Sequence, residues 1–339
     1  MKHSRDVLEQ FAAWTSRLSL GREIAPEEVH GIIDDLSAGA DPISYFLSVA
    51  NSEEAKRRRE APGNVSTLFP IGHFYSPVVD PAELLNSNFN ERRSKDQLAG
   101  VEIDYDRMEI FFRELLSALG NVEIASNAES GRRYYPENDM YGMGDALVLA
   151  SMVRHLKPKR WIEVGSGFSS AVLLDTLDQS PDLTTQLTFI EPFPDRLMRL
   201  LRGSDQSRVA LIHSGIQQVD LNVFRALEKD DVLFLDTTHV TKTGSDVNFE
   251  VFSILPILSS GVVVHFHDIF ADFEYPEEWI YKQNRSWNES YLLRAFLMYN
   301  RDFEVIYFND GFAKHRATVF REQAPQASAN PGGIWLRKK

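Results

Sequence analysis

The sequence predicts an α/β fold: a doubly wound seven-stranded sheet with an antiparallel last strand, preceded by a helical extension. Three observations carry that expectation. From about Tyr141 onward, short apolar runs alternate with longer amphipathic ones, the pattern of parallel strands joined by covering helices. One apolar run, Trp161–Val164, breaks into Gly165-Ser166-Gly167 and passes at once into a helix. Near the end, FEVIYFNDGFAKHRATVFRE reads as two strands turned at Asn309-Asp310-Gly311, a hairpin that reverses one strand.

The elements follow in order. Val7, Phe11, Trp14 and Leu18 recur at spacings of three and four, and Pro26 opens a second helix with Val29, Ile32, Ile33 and Leu36 on one side. Residues 61–100 hold Pro62, Pro70, Pro77 and Pro81 and little periodicity, so they read as an ordered loop. The piece Phe69–Pro77, with His73 and Tyr75, is too aromatic for a free linker. Met108–Leu119 is an amphipathic helix ending at Gly120. Strands are expected at Trp161–Val164, Leu187–Glu191, Val209–His213, Val232–Leu235, Val262–Phe266 and Glu304–Phe308. Helices are expected at Asp145–Leu156, Ser170–Leu177, Pro194–Leu201, Leu221–Leu227, Phe249–Leu258 and Asn288–Tyr299. The division is therefore an extension over 1–133, the α/β domain over 134–322 and a loose tail over 323–339.

Composition narrows the function. Of 339 residues, 36 are basic and 49 acidic, a net charge of −13. A protein that grips phosphates shows a basic face, and the one dense cluster here is Lys56–Arg59, so nucleic acid is not an expected partner. The absence of cysteine removes thiolate metal sites and a cysteine nucleophile, and it fits a reducing cytoplasm. The start, MKHSRDVLEQFAAW, lacks a signal-peptide core, and no apolar stretch reaches the ~18 residues of a membrane span. A cytoplasmic protein with no membrane partner is expected.

Ligands of open α/β sheets sit beyond the carboxyl ends of the strands, where glycines let backbone N–H groups approach closely. The Gly165-Ser166-Gly167 turn lies at such an end. Glu163 precedes it by two residues, and Glu191 ends the next strand, placed to accept hydrogen bonds from both hydroxyls of a ribose. A dinucleotide fingerprint would need glycine where Ser170 stands, which disfavours a nicotinamide enzyme.

E-V-G-S-G followed by F-I-E-P resembles the first two motifs of class I S-adenosylmethionine-dependent methyltransferases, whose fold is Rossmann-like. LDTTHVTKTGSDVNFE, GVVVHFHDIF, and FEYPEEW followed by WNESYLLRAFL resemble the family-24-type bacterial methyltransferase domain. The resemblance covers roughly residues 134–322, with NDMYGMGDALVL as its lead-in helix, and departs at Ser169, where many members carry a third glycine. It implies that S-adenosyl-L-methionine is the cofactor, with Glu163, Gly165, Ser166 and Gly167 at its methionine part and Glu191 at its ribose. It also implies that the turn Ser214-Gly215-Ile216 lies against the adenine.

Two more strands end in ionisable groups, Leu235-Asp236-Thr-Thr-His239 and His265-Phe-His267-Asp268. Parallel strands bring these ends to the edge that holds the glycine turn. His265 sits one pleat deeper and reads as a core histidine. His267 and His239 are the candidates for a general base that activates a hydroxyl for O-methylation, with His267 preferred because a strand terminus holds its side chain more rigidly. Asp236 and Asp268, with His267 as a further candidate, could instead hold Mg²⁺, a reading ranked below the base because strand five offers His-Asp rather than two carboxylates. Tyr275, Trp279, Trp287 and Tyr291 read either as a lid over the acceptor or as core packing.

The expected function is methyl transfer to a small-molecule or carbohydrate acceptor. A metal-dependent oxygenase or hydrolase on the same fold, or a non-catalytic nucleotide-binding module, are the alternatives.

Overall fold

A computed structural model describes residues 71–87, 98–325, 327 and 331–339, together with positions 12, 15, 32–34, 36, 41, 46, 49, 52, 69, 89 and 93. The expected helices before residue 60 lie mostly outside the described residues. The chain divides into two compact units at Asn86/Ser87. In the first, Asp80 caps a short helix, Pro81–Leu85, by accepting from the Ala82 N–H. The His73 ring stacks between Phe69 and Phe74, with centroids 4.6 and 4.2 Å away, so the aromatic piece folds on itself.

The second unit holds a seven-stranded sheet. Its helices and strands run α1 (Tyr105–Leu119), α2 (Met143–Leu156), β1 (Arg160–Val164), α3 (Phe168–Asp178), β2 (Gln186–Ile190), α4 (Asp195–Leu200) and β3 (Val209–Ile212). They continue with α5 (Leu221–Arg225), β4 (Val232–Leu235), α6 (Asp246–Phe249), β5 (Val263–His267), α7 (Glu289–Leu297), β6 (Phe303–Phe308), α8 (Asn309–His315), α9 (Ala317–Gln323) and β7 (Gly333–Lys338). The strand order is β3-β2-β1-β4-β5-β7-β6. The first five strands are parallel, and β7 runs antiparallel to both β5 and β6. Trp161, Phe189, Phe234, Phe266 and Trp335, from five of the strands, are each fully buried. Strands covered on both faces need such continuous apolar runs.

Two expectations about boundaries are corrected. The extension does not reach residue 133. Helix α1 belongs to the second unit and buries Met108, Phe112 and Leu115 in its core, with Phe112 against Phe312 and Phe320. The last strand is also misplaced by the hairpin reading. Asn309-Asp310-Gly311 opens α8, because its polar side chains find buried partners: Asn309 donates to Asp145 at 2.7 Å, and Asp310 accepts from the Ala271 N–H at 2.8 Å. The reversed strand is β7, inside the stretch expected to be a loose tail. Gly333 makes its approach possible, since at φ +154° a Cβ there would lie 2.5 Å from the His265 ring.

Candidate active site

Strand β1 delivers the chain to Gly165 at φ +78°, where a Cβ would lie 1.7 Å from the carbonyl oxygen of Asp236. Only glycine lets the ends of β1 and β4 close up this tightly. Glu191 braces the turn from the end of β2: its carboxylate accepts from the Ser166 N–H at 3.0 Å and the Phe193 N–H at 2.8 Å. Each oxygen keeps a lone pair for a further donor.

Glu163 plays a different part from the one the resemblance implies. It is fully buried beneath the turn and is not on the wall of the cavity. One oxygen accepts from the hydroxyls of Ser169 at 2.7 Å and Ser170 at 2.6 Å, and the other from the Trp161 indole at 3.3 Å. Ser170 in turn accepts the Gly167 N–H at 3.1 Å. The two serines that stand where fingerprints place glycine thus tie the turn to the strand below. Burial is the dominant influence on Glu163 and outweighs these donors, raising its pKa to about 7. Ser214, Gly215 and Ile216 likewise do not line the cavity, and Ile216 is packed into the core.

A cavity of ≈ 380 Å³ opens at the carboxyl edge of the sheet. Gly165, Ser166, Gly167, Glu191, Asp236, His239, His267 and Asp268 all line it, so most of the predicted site residues converge. Tyr141, Arg196, Trp279, Arg285 and Trp287 complete the wall. Ser166 Oγ is buried there without a hydrogen-bond partner, as expected of a group that meets a polar ligand.

His239 is far from a loosely held loop residue. It has φ +57°, is 4% exposed, and its carbonyl accepts the N–H groups of both Asn288 and Glu289. Nδ1 lies 2.8 Å from Glu289 Oε2, and Nε2 lies 3.5 Å from both Asp236 and Asp268. Burial opposes its charge, yet the bonds to Asp236 and Glu289 and the charge of Asp268 win, and its pKa stands well above the ordinary value. His267 is 4% exposed, stacks on Tyr141 with centroids 4.9 Å apart, and lies 3.3 Å from His265 through Nδ1. For His267 too, Asp236, Asp268 and Asp145 overcome burial and raise the pKa. His265 is fully buried between Phe234 and Trp335, and burial and the charge of His267 keep it neutral, as expected of a core histidine. Burial and the charge of Asp236 push Asp268 up, while the two histidines hold Asp236 down despite burial.

Asp236, His239 and Asp268 place one donor atom each within 4.8 Å of one another. Sequence reasoning set His267 beside the two aspartates as a metal candidate, whereas the histidine grouped with them is His239, and Glu289, its orienting partner, was missed. Nothing in the local spacing joins positions 239 and 289; the contact exists only because α7 starts beside the end of β4. Of the four aromatics, Trp279 and Trp287 line the cavity, whereas Tyr275 is buried and Tyr291 donates to Glu274 at 2.7 Å.

A parallel sheet with a reversed last strand, and a ligand cavity over its glycine turn, define the class I methyltransferase architecture. Residues 162–269 match the model of a family described as a methyltransferase domain, Methyltransf_24. An "uncharacterized protein" of Archaeoglobus fulgidus is 29% identical over 171 residues, 49% of this chain and 76% of that protein. Among solved structures, the S-adenosylhomocysteine-bound methyltransferase PaMTH1 of Podospora anserina is 16% identical at a TM-score of 0.39, covering 81% of this chain and 99% of that one. A methyltransferase of Thiobacillus denitrificans in complex with S-adenosylhomocysteine is 14% identical at a TM-score of 0.33, covering 62% and 96%. Among the described residues, no helix is long and apolar enough to cross a membrane.

Proposed function

We propose that the chain transfers a methyl group from S-adenosylmethionine to a hydroxyl of a small-molecule or carbohydrate acceptor, in a cytoplasmic setting. The observation that carries this reading is the convergence, on one cavity, of the Gly165–Gly167 turn with Glu191 and of the His267–Asp236–Asp268 group. Bound there, the sulfonium cofactor supplies an electrophilic methyl group. Glu191 has lone pairs left for the ribose hydroxyls, and Ser166 Oγ is an unused polar group beside them. His267 takes the acceptor proton: the acids around it strengthen it as a base, and stacking on Tyr141 fixes its ring. His239 serves as an orienting cation, because its proton is held by Glu289 and the two aspartates.

A second reading has a specific observation in its favour. The donor set Asp236, His239 and Asp268, with Glu289 behind the histidine, fits a divalent cation, and one imidazole with two carboxylates suits Mn²⁺, Fe²⁺ or Zn²⁺ better than Mg²⁺. Such an ion would lower the pKa of the acceptor hydroxyl.

Formation of S-adenosylhomocysteine in the presence of a panel of hydroxylated acceptors separates the two readings. His267→Ala is expected to lower turnover by ~10²–10⁴ and leave S-adenosylhomocysteine affinity within about a few-fold, with chelator having at most a partial effect. Complete loss on chelation with full recovery in Mn²⁺, and a nearly silent His267→Ala, would give the metal reading precedence.

A further inference from the structure

Arg285 stands apart from the other arginines of the second unit. Its guanidinium lies over the Trp279 ring at 4.2 Å and the Trp287 ring at 4.7 Å, and the residue lines the cavity. Among the described residues that guanidinium makes no ion pair, although the chain is rich in carboxylates. Arg133, Arg154, Arg160, Arg208 and Arg337 all pair with acids. Among the described residues Arg199, Arg225, Arg301 and Arg321 have no ion pair either, nor has Arg196, which shares the cavity wall, but each of these is exposed whereas Arg285 is half-buried.

The local chain builds this position. A π-helical turn, Glu278–Lys282, carries Trp279, and the Arg285 N–H bonds back to the Trp279 carbonyl at 2.9 Å across a left-handed Asn284. Trp287 also packs at a tilt against His239, with centroids 4.5 Å apart, which ties the arginine's support to the acid–histidine group. The guanidinium lies over both indole rings, which stand at 77° to each other, and its rim of N–H donors has no hydrogen-bond partner among the described residues. That rim matches the two oxygens of a carboxylate, phosphate or sulfate.

We propose that Arg285 is a specificity determinant that binds an oxyanion of the methyl acceptor, so that the acceptor is an acid carrying a free hydroxyl. This rests on the methyl-transfer reading for the word acceptor; the oxyanion site itself does not. The cofactor's own carboxylate is the competing occupant, and a cation at Asp236 and Asp268 would also attract an anion, so the test separates these three.

Calorimetry on the full chain, with chelator present, uses 4-hydroxybenzoate and phenyl phosphate as anionic probes and phenol as the neutral one. The wild type is expected to bind at least one anion about tenfold or more tighter than phenol. Arg285→Gln should abolish that preference, and Arg285→Lys, which keeps the charge without the fork, should keep part of it. Affinity for S-adenosylhomocysteine should stay within about twofold in both variants. Equal affinity of the wild type for anions and phenol, or no binding of either anion, overturns the proposal. So does a preference that survives Arg285→Gln, or a loss of S-adenosylhomocysteine affinity in that variant, which would assign Arg285 to the cofactor. If the wild type binds the anions through Arg285 but not S-adenosylhomocysteine, the oxyanion site stands and the methyl-transfer reading fails.

Discussion

The structure places Glu163 beneath the glycine turn rather than on the cavity wall. An acid two residues before a glycine turn stands out in sequence, but its side chain points into the strand's buried face, where Ser169, Ser170 and Trp161 satisfy it. Its proton has a consequence for stability. In the unfolded chain it leaves near pH 4.5, whereas in the folded protein it stays until about pH 7. Below 4.5 both states are protonated and the contribution is fully present. Between 4.5 and 7 the unfolded state releases a proton that the folded state keeps, so stability falls as pH rises, by on the order of 3 kcal/mol in all. Denaturant unfolding of wild type and Glu163→Gln across pH 5–7 should show the wild type losing stability relative to the variant; parallel curves would mean that Glu163 is already ionised. Glu191, by contrast, was legible because it ends its strand. His239 was legible only as a polar residue, since its clamp of Glu289, Asp236 and Asp268 comes from three separate elements.

At the scale of elements, the parallel strands were readable because each is a short apolar run bounded by helix signals. Strand β7 was not. Ile334-Trp335-Leu336 is only three residues of strong apolar signal, set in a stretch rich in Pro, Ala, Asn and Gly. Its order comes from pairing on both sides, with β5 and β6, which no local pattern reveals. The error at Asn309-Asp310-Gly311 has the same origin. Those residues favour turns when solvated, but here Asp145 and the Ala271 amide hold two of them in the interior. Burial of Trp335 yields a test: Trp335→Ala should cost about 3–5 kcal/mol in urea unfolding. Trp335→Phe should cost much less, because it keeps most of the ring and also removes an indole N–H that has no partner. An alanine variant within about 1 kcal/mol of wild type would show that the last strand is dispensable.

For the whole molecule, topology does most of the work. Five parallel strands present their carboxyl ends on one edge, and that is why residues as far apart in sequence as Gly165, Glu191, Asp236 and His267 line one cavity. The reversed β7 sits next to β5 and brings Gly332 close behind Asp268, where a Cβ would meet the carboxylate at 3.3 Å, so the last element packs directly behind the site. The most direct test of the account is calorimetric binding of S-adenosylhomocysteine to the full chain and to Glu191→Ala. Removing charge-assisted contacts to the ribose should weaken binding by about ten- to a hundredfold, from a wild-type affinity in roughly the micromolar range. No binding to the wild type, or equal affinity in Glu191→Ala, would contradict the assignment of the glycine-turn cavity to this cofactor.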